Sequence, residues 1–103
     1  MLLCGEKENG QPRRHSTRHL EAAVQALGHP SALVLRYACT SIWLLARNEG
    51  DRAELGRLWG VDGLVSLLRS NASLKLKEAA AGALWLLACD SGNAVRVALK
   101  ASA

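Results

Sequence analysis

The sequence predicts an all-α fold of stacked helical units, on three observations. Ala38-Cys-Thr-Ser-Ile-Trp-Leu-Leu-Ala46 recurs 42 residues later as Ala80-Ala-Gly-Ala-Leu-Trp-Leu-Leu-Ala88, with five of nine positions identical. Gly50 and Gly92 keep the same offset. A period of about 40–47 residues in a helical pattern marks a stacked helical repeat. The composition agrees: Leu and Ala dominate, Phe is absent, and there are 2 prolines in 103 residues, which favours helices over sheets. Finally, only short polar breaks separate the apolar-periodic stretches, and short loops make sequential helices pack as neighbours.

Residues 1–18 are polar and charged, interrupted by Gly5, Gly10 and Pro12, and read as a disordered basic tail. From Leu20, the spacing of Leu20, Ala23, Val24 and Leu27 predicts a helix. Gly28-His29-Pro30 ends it, and Ser31 is placed to cap the next. That helix runs from Ala32 to about Arg47, with Leu35, Ala38, Ile42, Leu45 and Ala46 as its buried stripe. Asn48-Glu49-Gly50 breaks the pattern. A short helix over Asp51–Trp59 follows, with Asp51 as its N-cap or first-turn acid and Gly60 as its stop. Another pattern begins at Val61 with Leu64, Val65, Leu67 and Leu68. Ser70-Asn71-Ala72-Ser73 punctuates it, and Leu74–Cys89 forms an Ala-rich helix. After Asp90-Ser91-Gly92-Asn93, a last short helix covers Ala94 to about Ala101.

Composition limits function. The net charge of +4 divides evenly between the tail and the remainder, without the dense basic stripe of a duplex nucleic-acid binder. Arg13-Arg14-His15 reads as a solvated run, with a nuclear-targeting signal as the lesser alternative. An odd count of cysteines (Cys4, Cys39, Cys89) without close pairing argues against a disulfide framework. Free thiols point to a reducing compartment. Met1-Leu-Leu-Cys4 is too short for a secretory signal, so a cytoplasmic location is expected, with the nucleus as alternative. His15 and His19 are four apart but lack further ligands at metal spacing. No phosphate loop or paired carboxylates occur. The expectation is a non-enzyme with no cofactor and no metal.

The run Gly50-Asp-Arg-Ala-Glu-Leu-Gly-Arg-Leu-Trp-Gly60, then Val61-Asp-Gly-Leu-Val-Ser-Leu-Leu-Arg-Ser70, then Lys77-Glu-Ala-Ala-Ala-Gly-Ala-Leu-Trp-Leu-Leu-Ala88, resembles an armadillo repeat. In that family a short helix ends in Gly, here Gly60. A second helix carries a Leu-Val-x-Leu-Leu core, here Leu64, Val65, Leu67 and Leu68. A long third helix has an Ala-x-x-x-Leu-x-x-Leu-Ala pattern, here Ala80, Leu84, Leu87 and Ala88. The resemblance implies an armadillo-type right-handed α-solenoid fragment over residues 19–103. One full three-helix repeat (50–89) lies between two partial ones (20–47 and 92–103), once a residue is inserted near Pro30–Ala32.

The resemblance also implies a function. Third helices of armadillo units line a concave groove that holds partners. Helical geometry places Gly82, Trp85, Leu86 and Cys89 beside the core-facing set. One period earlier stand Thr40, Trp43, Leu44 and Arg47. The expected partner-binding groove is Thr40, Trp43, Leu44, Arg47, Gly82, Trp85 and Leu86, with the two tryptophans as anchors. Packing of each Trp into the inter-repeat core is the competing reading. The Asn ladder that importin-α proteins use for nuclear-localisation peptides is replaced by Leu44 and Leu86, which implies an apolar partner segment, extended or helical. Arg47 has Cys89 as its counterpart, so no basic column forms for an acidic peptide. The expected function is a protein–protein interaction scaffold or adaptor. The alternative is a fragment or self-stacking subunit of a longer solenoid. Nucleic-acid binding through the tail ranks below both, and no membrane role is expected.

Overall fold

Ser16 opens the first helix. Its side chain accepts a hydrogen bond from the His19 N–H, so α1 (Thr17–Gln25) starts ahead of Leu20. The computed structural model describes residues 11–101. A 3-10 turn (Ala26–Gly28) follows α1. Then come α2 (Ala32–Leu45), α3 (Glu49–Arg57), α4 (Gly60–Arg69), α5 (Leu74–Leu87) and α6 (Ser91–Ala101). The described residues contain no strand, and the architecture is an all-α, armadillo-like fragment. The two long helices α2 and α5, which carry the repeated Trp-Leu-Leu, share the most extensive contact of any two elements.

The period of 42 residues extends to the helix starts. Ser31 Oγ accepts from the Val34 N–H at 3.5 Å, and its counterpart Ser73 Oγ accepts from Leu76 at 3.2 Å. Asn48 Oδ1 accepts from the Asp51 N–H at 2.8 Å, and its counterpart Asp90 Oδ2 accepts from Asn93 at 3.0 Å. These caps move two expected boundaries. Asn48 starts α3 at Glu49, so Gly50 lies inside the helix and Asp51 is a first-turn acid. Asp90 brings the start of α6 forward to Ser91.

Gly60 is not the stop of α3. The stop is Trp59, whose left-handed φ of 76° is the conformation that usually ends helices at Gly or Asn. Gly60 is instead the first residue of α4, where a Cβ would lie 2.7 Å from the Leu55 carbonyl oxygen.

The expected tail also changes in part. Residues 1–10 lie outside the described residues, but 11–16 lie against α3 and Thr17 and Arg18 belong to α1. Asp51, fully buried, accepts from the Arg14 N–H (3.0 Å) and the His15 N–H (3.2 Å), and its other oxygen is 2.7 Å from His15 Nδ1. Gln11 N–H donates to Glu49 Oε1, and Asn48 Nδ2 donates to Gln11 Oε1. Gly50 permits this approach, because a side chain there would overlap the backbone of Gln11, Pro12 and Arg13. The order of this segment comes from Asn48, Glu49 and the buried Asp51 carboxylate far along the chain, not from its own composition.

The core joins Leu20 and Leu27 to Cys39, Ile42, Leu55, Val61, Leu64, Leu76 and Leu87, among others. Beside Asn48 and Asp51, two further buried polar groups have partners. Arg52 Nε donates to the Ala46 carbonyl at the end of α2, where a cation is favoured by the exposed C-terminal carbonyls. Asn93 Nδ2 donates to the Arg52 carbonyl at 2.9 Å, which ties α6 to α3. Lys100 closes the far end, with Nζ 2.9 Å from Asp62 Oδ2 and its carbonyl accepting from Arg69.

Candidate functional site

α2 and α5 lie side by side and enclose a hollow of about 250 Å³. Cys39, Thr40 and Trp43 line it from α2; Glu78, Ala79 and Gly82 line it from α5. Each set spans about one helical turn, so its members share a face. Ser31 and Ser73 cap the two helices at corresponding positions, which sets their registers. Trp43 is 41% exposed, and the Arg47 guanidinium lies 5.4 Å from its ring centroid. Such cation–π contacts contribute about 0.5–1 kcal/mol at exposed sites. Trp85, on α5, is 67% exposed.

Of the seven expected groove residues, Thr40, Trp43 and Gly82 line this hollow, Arg47 stacks on Trp43, and Trp85 is exposed on α5 without lining it. The other two lie elsewhere. Leu86 is only 8% exposed and belongs to the core, whereas Leu44 is 52% exposed and lines a different groove, between α1 and α2. Leu86 lies one turn beyond Gly82, on the flank that α5 turns to α2. Identical residues one period apart thus part company, because α5 has a neighbour on that side and α2 has none among the described residues. Ala79 was not singled out in sequence, because its offset to Tyr37 carries no motif to find it by.

Cys39 combines two expectations: it is a free, buried thiol in the core and also a wall of the hollow. Burial pushes its thiol up from the ordinary range. Cys89 is disulfide-bonded, so the expectation of free thiols holds only for Cys39 among the described residues, and the inference of a reducing compartment from free thiols loses that support. We expect Cys39 to stay protonated at neutral pH and to resist alkylation until the chain opens. Mass spectrometry after a brief pulse of iodoacetamide, with and without denaturant, checks this. Rapid native labelling of Cys39 would contradict its burial.

The fold and surface define a class, a small helical-repeat module with a hollow of mixed polarity between its two long helices. The chain is 36% identical over 87 residues to the splicing regulator ARVCF of Homo sapiens, covering 82% of this chain and 9% of that protein. The proteins of the same name from Mus musculus and Rattus norvegicus match with the same identity and coverage. The chain thus spans 9% of the length of these curated relatives. No family model matches the chain, and no solved structure matches it significantly.

Proposed function

We propose that this chain is an armadillo-type interaction module that binds a protein partner across the surface formed by α2 and α5. The observation that supports this best is the exposure of Trp43 and Trp85 one period apart on packed neighbouring helices. Helices in contact lie about 8–10 Å apart, a spacing that suits successive anchors of one partner segment. Trp offers a large rigid apolar surface with one donor, and Thr40 adds a polar group at the rim of the hollow. Glu78 lines the same hollow, so a partner with apolar side chains and a neutral or basic group beside them fits it best.

The similarity to ARVCF supports a protein-interaction role. Several cations are engaged within the chain, which favours protein over nucleic acid as the partner. Arg13 and Arg57 both lie against Glu54, Lys100 against Asp62, and Arg52 is buried. No helix among the described residues is long and apolar enough to cross a membrane. A cytoplasmic location and a non-enzymatic role are parts of the same proposal.

The test is affinity capture of partners with the wild-type chain beside Trp43→Ala, Trp85→Ala and the double variant. Both side chains are exposed, so the fold should persist, with stability lowered by about 1 kcal/mol at Trp43, where the contact with Arg47 is lost, and by about 0.5 kcal/mol or less at Trp85. Loss of about 2 kcal/mol per anchor, roughly 30-fold in affinity, is expected for the partner that uses them. Undiminished binding by a folded double variant would remove the proposal.

A further inference from the structure

The groove between α1 and α2 encloses about 530 Å³ and is nearly all apolar. Its α2 wall comprises Val34, Tyr37, Ala38, Ser41, Leu44 and Leu45. Each stands 42 residues before a residue of α5: Leu76, Ala79, Ala80, Ala83, Leu86 and Leu87. Those six are all in the core or packed against it. α5 turns this flank toward α2, as shown by Ala79, which faces Cys39, Thr40 and Trp43 across the hollow. The same flank of α2 has no helix against it among the described residues. The groove is therefore a repeat-stacking surface without its neighbour.

The repeat also says what such a neighbour presents. α2 buries Cys39, Ile42 and Ala46 in the joint core. Their counterparts 42 residues later are Ala81, Leu84 and Ala88. Ala81 is exposed, while Leu84 and Ala88 are half-buried, so α5 carries an incompletely covered flank of matching small and aliphatic residues. The chain holds both halves of one interface, on opposite ends of the stack.

We propose that the α1–α2 groove of one copy receives the α5 flank of a second copy, head to tail. The contact is heterologous, so successive copies extend the stack rather than closing a symmetric pair. In this register α6 of the first copy enters the place beside α3 of the second that residues 11–16 fill in the single chain, and that segment must leave. This inference rests on the repeat register and not on the Trp43–Trp85 surface, so either can fail without the other.

Sedimentation equilibrium from micromolar to near-millimolar concentration tests it with three chains: wild type, Leu44→Glu and Ala81→Glu. Both substituted positions are exposed, and circular dichroism checks that the variants fold. Wild type should associate progressively, and each variant alone should remain monomeric. An equimolar mixture of the variants should form dimers and nothing larger, because it contains one intact groove and one intact flank. A monomeric wild type would overturn the proposal and leave the groove to a unit of another chain. So would a monomeric mixture, or a variant that associates alone as wild type does.

Discussion

Gly56→Ala is expected to destabilise the chain by about 2–5 kcal/mol. Gly56 is buried in α3, and a methyl group there would overlap the side-chain amide of Asn93. Asn93 cannot simply turn aside. It is fully buried, and its Nδ2 donates to the Arg52 carbonyl. Overpacking costs about 1–3 kcal/mol, and leaving a buried polar group unpaired costs about 1–3 more. A domain of this length has about 5–15 kcal/mol in all, so urea denaturation should show a large fall in the midpoint. Gly82→Ala has the opposite sign. A Cβ at Gly82 meets nothing within 4 Å, so helix propensity should stabilise by about 0.5–1 kcal/mol. Adding Asn93→Ala to Gly56→Ala should recover part of the loss by removing the overlapping atoms. If Gly56→Ala is as stable as wild type, the close packing of α6 on α3 is wrong.

Asp51→Ala should free residues 11–16 and cost about 2–3 kcal/mol. One buried carboxylate receives the backbone N–H groups of Arg14 and His15 and contacts the His15 ring. Hydrogen bonds to charged groups contribute about 1.5–3 kcal/mol each in mutational series, but an exposed segment recovers part of that from water. The loss is local as well as global. Amide hydrogen exchange at Arg14 and His15 should accelerate far more than at Leu64 or Leu87 in the core. Asp51→Asn keeps an acceptor at Oδ1 and should show a smaller effect. Unchanged protection of Arg14 and His15 in Asp51→Ala would show that something other than this carboxylate holds the segment.

The helices, their order and the pairing of α2 with α5 were legible because they rest on local signals and one internal repeat. The apolar stripe of α2 and the Trp-Leu-Leu copy need no knowledge of the rest of the fold. Three features were not legible. Gly50 reads as a helix breaker, yet it sits inside α3, where its missing side chain admits the backbone of residues 11–13. Residues 11–16 have the composition of a disordered tail, and their order comes from partners more than thirty residues away. Leu44 and Leu86 are the same residue at the same offset, and only the presence or absence of a packed neighbour separates an exposed side chain from a core one. The Trp43–Thr40–Gly82 surface was readable because helical geometry places those residues together once α2 and α5 are neighbours.

Everything proposed for function depends on α2 and α5 being successive rungs of one stack. Nitroxide labels at Arg36→Cys and Glu78→Cys, exposed sites one period apart, test this directly in a chain whose own cysteines are replaced by Ala. Packed helices about 8–10 Å apart should give strong dipolar broadening in the doubly labelled chain relative to the singly labelled ones. A doubly labelled spectrum equal to the sum of the single ones would contradict the stack.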